Sequence, residues 1–429
     1  MTYFNETEKQ IPIVDDFDVV VAGGGPAGVG AAISAARNGA RTLIIEQAGD
    51  IGGVATTGLM SHWTGNTKGP LYEEILERSR DDHRGQGNSH TINPEKLKTV
   101  FLEMLLEAGV KIKLYTFVSD VIKERDVVKG VITESKTGRE AVTTKILIDC
   151  TGDGDAAAKA GAPFVKGRET DGKMQPMTLM FKVAGVDYDT AVFPGSFESN
   201  FDIPHGKIQD LAKQNIPHPA GHVLLYATTL PGVVTCNMTN CIDVDGTNAD
   251  DLTKAHIQCR KQMDVIVDFL KKYIPGYANC YAVSSASIIG VRETRHFKGE
   301  KTITEQDILE ARVFDDWAAT QLSFNFDVHN ISGSGLDETG CQDGFKQPKG
   351  YTVPYGCLVP LKIENLLLAG RNISGTHIAH SNFRVMPICV NLGQAAGTAA
   401  ALCVKEGIPP RQLDVSKLQD VLAKSGVRV

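Results

Sequence analysis

The sequence predicts an α/β chain: a Rossmann-like domain whose parallel sheet carries helices and a β-meander, with an inserted α+β cap domain. Three observations carry this prediction. An apolar run near the N-terminus stops at a glycine turn that opens a helix, residues 110–145 alternate apolar and polar, and a late apolar run precedes a long helix rich in small residues.

Phe17 to Gly23 (FDVVVAG) is short, apolar and ends at glycines, as a buried parallel strand does. Gly23, Gly25 and Gly28 then give GxGxxG around Pro26 and Ala27, and Val29, Ala32, Ile33 and Ala36 recur at helical spacing until Gly39. Gly23 permits the tight turn, Gly25 lets backbone approach a pyrophosphate, and Gly28 lets the helix pack on the strand. The helix N-terminus then offers unpaired N–H groups to the phosphates. A second strand, Arg41 to Ile45, ends in Glu46, 18 residues after Gly28, with Gln47 beside it. A carboxylate there accepts hydrogen bonds from an adenosine ribose and repels a 2′-phosphate.

Whether the dinucleotide is NAD or FAD is decided elsewhere. Gly52 and Gly53 form a second doublet that suits a longer dinucleotide, the alternative being a flexible loop. Val110 to Lys145 turns at Glu124-Arg125-Asp126 and Lys136-Thr137-Gly138, an antiparallel meander that brings Val118 to the cofactor. Lys145 to Cys150 is another strand, and Thr151, Gly152 and Asp153 begin a sharp turn under the nucleotide. Asn365 to Gly370 is a further strand, and Met386 to Glu406 a helix with Pro387 in its first turn and Gly407 at its end. Gly393, Ala396, Gly397 and Ala400 give that helix a very small face. Its N-terminus, at Met386, Pro387 and Ile388, is expected beside a flavin ring, where a positive helix end stabilises charge that appears on reduction.

These segments resemble the FAD-dependent oxidoreductase family that is distantly related to fumarate reductase and succinate dehydrogenase flavoproteins. The resemblance rests on GGGPAGVGAAISAARNGARTLIIEQ, IGGVATTGLMS, TGDGDAAAKAGAPFVKGRETDGKMQPMT, IIGVRETRHFKGEKTITEQDILEARVFDDW and the closing run from Tyr351 to Leu402. It implies tightly bound FAD, a two-domain architecture and redox chemistry. Two positions depart from the family pattern, with Gly356 and His296 standing where arginines are usual. His62 raises the question of a covalent flavin link, but GLMSHWTG does not match the attachment motif, so noncovalent FAD is expected.

The expected division is a discontinuous FAD domain, 1–165 with 350–429, and a cap, 166–349. The cap mixes strands (Met177 to Val183, Val223 to Ala227, Tyr281 to Val291) with helices such as Asn248 to Tyr273, and Ser332 to Lys349 reads as a loop. It contains no second GxGxxG behind a strand, so no separate NAD(P)H domain is expected. On an extended backbone Arg292, Thr294 and His296 share one face, while Glu293 and Arg295 share the other. A guanidinium and an imidazole together can clamp an anion and move a proton, whereas a surface strand would only solvate or pair them. His377, His380 and Arg384 fall between the last strand and the helix at the flavin, where loops line the ligand crevice. Asp327 and His329 read as a turn with a hydrogen-bonded histidine, and Cys150, Cys389, Met174, Met177 and Met180 as packing.

Hydride transfer between flavin N5 and a small polar substrate is the expected reaction, with Arg292 and Arg384 orienting the substrate and His296, His377 and His380 handling the proton. The substrate is anionic if the arginines clamp it, and the separate electron donor or acceptor stays open. Rival readings are an electron-transfer subunit serving a partner protein, a flavoprotein acting on tRNA, and FAD as a purely structural element. The net charge of −7 offers no broad cationic face for nucleic acid. Nine cysteines without CxxC spacing argue against a metal centre and fit a reducing cytosol. The polar N-terminus and the lack of a recognised span point to a cytoplasmic protein without membrane partners.

Overall fold

The N-terminal apolar run is β1 (Ile13–Ala22), and the glycine turn after it opens α1 (Pro26–Arg37) and leads to β2 (Thr42–Ile45). This computed structural model describes residues 6–81, 90–196, 199–337 and 350–429, with Thr2 and Phe4. Next come α2 (Pro70–Arg78), α3 (Pro94–Glu107) and β3 (Lys111–Lys113). The predicted meander follows as β4 (Phe117–Glu124), β5 (Val127–Ser135) and β6 (Gly138–Asp149), before α4 (Asp155–Ala160).

The middle of the chain holds β7 (Phe164–Lys166), β8 (Phe181–Ala184), β9 (Asp202–Ile203), β10 (Gly206–Lys207) and α5 (Ile208–Asn215). It continues through β11 (Leu225–Ala227), β12 (Val234–Cys236), α6 (Ala249–Tyr273), β13 (Tyr281–Ser285) and β14 (Arg295–Phe297). After α7 (Glu305–Leu309) and β15 (Trp317–Leu322), the chain closes with β16 (Tyr351–Pro354), β17 (Leu366–Leu368), α8 (His377–Phe383), α9 (Met386–Glu406) and α10 (Val415–Lys424).

The main sheet runs β3-β2-β1-β6-β5-β4, with β17 also paired to β6. β6 serves two purposes along its length. Gly138 to Thr143 pairs antiparallel with β5 on one side, and Ala141 to Asp149 runs parallel to β1 on the other. β17 extends the parallel part, with Leu366 opposite Leu147 and Leu368 opposite Asp149. A parallel core with an antiparallel wing is thus built on one strand, and the C-terminal ends of β1, β2, β6 and β17 open on the same edge.

A second sheet, β11-β12-β8-β13, is antiparallel and has its own apolar core with α6. Here the expected strands are longer than the observed ones. Met177 and Thr178 make only single bridges, to Cys241 and Gly290, and the run from Tyr281 leaves the ladder after Ser285. The reason is a long-range bond: the Ser287 N–H is taken by the Thr57 carbonyl, which draws the chain toward the main domain. Arg292 and Glu293 therefore do not lie on a strand, since β14 begins at Arg295. The alternation expected for residues 292–296 is corrected accordingly.

Residues 338–349 of the predicted loop Ser332 to Lys349, including Cys341, lie outside the described residues. The eight described cysteines are buried free thiols. α9 is long and apolar enough to cross a membrane, which the sequence reading overlooked; 89% of its apolar window is buried inside the fold. It packs on α1 so closely that a Cβ on Gly393 or Gly397 would come within 2.0 or 2.1 Å of the Ala27 or Ala31 carbonyl oxygen.

Candidate active site

A cavity of about 750 Å³ opens along the shared C-terminal edge of the parallel strands and reaches the second sheet. One end is the glycine turn. Gly23 is in the left-handed region (φ +96°), and a Cβ on Gly28 would lie 1.9 Å from the Gly23 oxygen, so both positions demand glycine for backbone reasons. Gly25 is different: a Cβ there would meet nothing within 4 Å, because the position faces the cavity. No side chain caps α1, and its first N–H groups are left for a ligand.

Glu46 lines this end, and its two oxygens accept from the Gly24 N–H at 2.7 Å and the Ala48 N–H at 2.8 Å. The carboxylate thus pins the glycine turn while keeping lone pairs toward the cavity. Gln47, Gly53 and Val118 line the same wall. Gly52 does not; its N–H donates to the Gly24 carbonyl at 2.7 Å and holds one loop against the other.

On the opposite wall, Asp149 accepts from the Thr151 N–H and hydroxyl and from the Ala157 N–H, at 3.0, 2.8 and 2.7 Å. Burial raises its pKa to about 6 against those bonds. The turn so fixed presents Thr151, Gly152 and Asp153 to the cavity. Gly152 (φ +85°) also makes room for Arg371, whose Nη2 would lie 2.5 Å from a Cβ there and donates to Asp153 at 3.0 Å. Arg371 Nη1 is buried without a partner. Sequence reasoning missed this arginine, although its place directly after Gly370 at a strand's C-terminal end was the signal for it.

An open glycine cradle, an uncapped helix start and a buried unsatisfied guanidinium nitrogen fit the pyrophosphate of FAD. Beyond them, Gly370, Val385, Met386 and Cys389 line the cavity where α9 begins. Pro387 and Ile388 are buried in the first turn of α9 and do not reach the lining.

The far end of the cavity is polar and charged. Arg292 is buried; its Nη1 donates to the Pro176 carbonyl at 2.6 Å and the Thr178 hydroxyl at 2.8 Å. Burial, and next the charge of Arg384, lower its pKa to about 10. Arg384 donates through Nη2 to both the carbonyl and a carboxylate oxygen of Asp327, each at 2.9 Å. Burial pushes the Asp327 carboxyl up, but His329 and the two arginines outweigh it and hold the group well below the usual range. His329 lies 3.2 Å from the same carboxylate, and burial followed by the charge of Arg292 lowers its pKa to about 4. Asp327 and His329, read from sequence as a turn, line the cavity with Arg292 and Arg384.

The three candidate histidines stand elsewhere. His296, His377 and His380 are absent from the cavity lining and gather around Glu293, which is fully buried. Glu293 Oε1 accepts from His296 Nε2 at 2.8 Å and His377 Nδ1 at 2.5 Å, and Oε2 from the Gln175 N–H at 3.0 Å. The His380 ring meets that of His296 edge-on, with centroids 4.8 Å apart. Glu293 and His296 were expected on opposite faces of a strand; Glu293 precedes β14, which leaves its side chain free to turn toward His296 on that strand. Burial lowers the His377 pKa, but the bond and charge of Glu293 outweigh it and raise the group. His380 is pushed well below its usual value by burial and then by His296.

Gly356 also lies away from the cavity, and the space an arginine would need is filled by Lys301, 2.9 Å from a Cβ. His62 does not line the cavity but stacks on Tyr226, which does, with centroids 5.1 Å apart.

A family model described as FAD dependent oxidoreductase matches residues 18–422. Thiamine thiazole synthases from Methanococcus maripaludis strain C7 and Methanococcus vannielii are 30% and 28% identical over 154 and 148 residues. These matches cover 33% and 32% of this chain, and 58% and 56% of those relatives. The chain thus spans just under three fifths of the length of the curated relatives it matches. A solved structure of a geranylgeranyl bacteriochlorophyll reductase-like protein from Thermoplasma acidophilum aligns with 96% of this chain and 84% of its own, at 15% identity and TM-score 0.51. That likeness speaks to the fold alone.

Proposed function

The chain belongs to the family of FAD-dependent oxidoreductases, and from that premise we propose that it moves a hydride between flavin N5 and a small polar, anionic substrate held by Arg292 and Arg384. It is a flavoprotein with a Rossmann-like fold. The observation that carries the proposal is the continuity of one cavity from the glycine cradle at Gly25 to the Arg292, Arg384, Asp327 and His329 group.

FAD, when bound, supplies the centre that accepts or donates the hydride. The α1 N–H groups and Arg371 would hold its pyrophosphate, Glu46 its ribose, and the start of α9 its ring. Binding is noncovalent in this reading, and kinship with fumarate reductase and succinate dehydrogenase flavoproteins belongs to the same proposal. The discontinuous domain, 1–165 with 350–429, supplies the cradle, and the cap, 166–349, supplies Arg292.

Arg384 is fixed by Asp327 and Arg292 by Pro176 and Thr178, so both guanidiniums are oriented before substrate arrives. Their remaining N–H groups stabilise negative charge on a carboxylate or developing oxyanion. Asp327 stays ionised and offsets part of the positive charge of the two arginines. His329 is neutral at pH 7, so its imidazole serves as a hydrogen-bonding group. His296, His377 and His380 act at one remove: through Glu293 they position the neighbouring Arg292 and hold a proton near it.

The test is an anaerobic screen of hydroxy acids, sugars, amines and enoates against the FAD-loaded protein, scored by bleaching of the yellow flavin. Turnover confined to anionic members, and weakened in Arg384 variants, is the expected result. Reduction by uncharged substrates only, or by none without a protein partner, would remove the proposal.

A further inference from the structure

A second cavity, of about 390 Å³, lies across the turn formed by residues 52–57. Gly53 and Val54 face the first cavity, Thr56 faces the second, and Thr57 contributes to both. The inner wall of the second cavity is Lys182 on β8. Its neighbours Phe181 and Val183 point into the cap core, which turns Lys182 to the opposite face, between Thr235 of β12 and Ser284 of β13 in register.

Lys182 is only 8% exposed, and among the described residues its ammonium has no hydrogen-bond or ion-pair partner. A buried unpaired charge is costly and is kept where something completes it. Its neighbours do not. Asp50 and Glu95 also line the cavity, but both are held by Lys98, at 3.1 and 3.0 Å, and they are well exposed. The cavity therefore has solvated, already paired carboxylates at its mouth and a single unsatisfied ammonium inside. Ser284, Ser285 and Ser287 add hydroxyls to the same lining.

We propose that this second cavity binds a small molecule through a carboxylate or phosphate group, with the Lys182 ammonium as its anchor. The site is distinct from the cavity of Arg292 and Arg384 and does not depend on the reaction proposed there. Shared Thr57 makes the 52–57 turn the common wall of the two cavities. Asp50 and Glu95 at the mouth select against polyanions and favour ligands with one negative group, zwitterions included.

Burial lowers the Lys182 pKa to about 8, with Glu95 opposing and Lys98 adding to the shift. The amine is thus mostly protonated at pH 7 and loses its charge just above it. Asp50, Glu95 and Lys98 are the other charged groups that face it among the described residues.

The experiment titrates acetate and, separately, inorganic phosphate into FAD-loaded protein by calorimetry, using wild type, K182M and R384M. The ion that binds identifies the carboxylate or the phosphate source. Its dissociation constant is expected to rise at least tenfold in K182M and less than twofold in R384M, and to rise between pH 7 and pH 9 in wild type only. K182M should melt at or above wild type in ion-free buffer, because a desolvated charge is gone, and should lose the ion-dependent gain in Tm. If K182M is insoluble, K182Q serves for the same comparison. Equal binding by wild type and the Lys182 variant, binding lost in R384M instead, no binding of either ion at tens of millimolar, or a Lys182 variant that melts far below wild type in every buffer would each overturn the proposal.

Discussion

Arg384 holds Asp327 twice, at its side chain and at its own backbone carbonyl, with one nitrogen 2.9 Å from each. The pair fixes the loop before β16 to the start of α9, and so sets where the guanidinium faces the cavity. Replacing Arg384 with Met should raise KM by about tenfold or more, equivalent to roughly 1.4 kcal/mol of lost binding. R384K keeps the charge but not the planar fork and should recover only part of that loss. Steady-state kinetics with the substrate found in the flavin-bleaching screen decide it, and an unchanged KM in R384M removes Arg384 from substrate binding.

Gly25 and Gly28 belong to one motif yet fail differently. A methyl on Gly25 enters open space and the residue has φ −69°, so G25A should leave the apoprotein's Tm within a degree or two while it obstructs the pyrophosphate and lowers FAD content several-fold. A methyl on Gly28 would sit 1.9 Å from the Gly23 oxygen, so G28A should cost roughly 1–3 kcal/mol of folding stability whether or not FAD is bound. Melting curves and flavin absorbance on both variants separate the two effects. Equal loss of apoprotein stability in both would contradict the assigned division.

Acid should destabilise the protein through its neutral buried histidines. His222 and His329 are lowered to about 3 and about 4, mainly by burial, so the unfolded chain takes up protons below pH 6.5 that the folded chain refuses. Stability therefore falls as pH drops from about 6.5 toward 4. His377 works the other way: its raised pKa contributes stability below 6.5 that disappears as pH rises through its folded value. H329N should flatten the acid limb by up to one proton's slope, read from denaturant midpoints between pH 4 and 7. A wild-type midpoint that is level over that range would mean these histidines are not buried neutral.

Most of the cofactor end was legible because its constraints are local. Gly23 and Gly28 are required by backbone contacts a few residues away, and α9 was bounded correctly by Pro387 and Gly407. The charged end was legible only in part. Arg292 and Arg384 reach the cavity as expected, but Glu293 takes His296 and His377 away from it, and that grouping joins residues 84 apart in sequence. Strand periodicity could not report it, because the chain leaves the sheet after Ser285 for a bond to Thr57, a long-range event with no local signal. Arg371 was within reach of the strand-end rule, whereas the exposure of Lys182 to a cavity depended on the second sheet's register.

Glu293 offers the sharpest separation between structure and chemistry. Its Oε1 receives two imidazoles and its Oε2 a backbone N–H, all without solvent, so E293Q leaves both imidazoles buried with a weaker acceptor. Breaking a buried charge pair in this way costs about 3–5 kcal/mol. Substituting His377 as well removes one of the two stranded imidazoles, so E293Q/H377Q should be more stable than E293Q alone, and the double-mutant cycle should show a coupling of about 1–3 kcal/mol. If the group positions Arg292, the double variant, though refolded, should keep its flavin but bind substrate less tightly, with KM rising more than kcat falls. A double variant with wild-type KM would leave the histidine cluster a packing element with no part in the reaction.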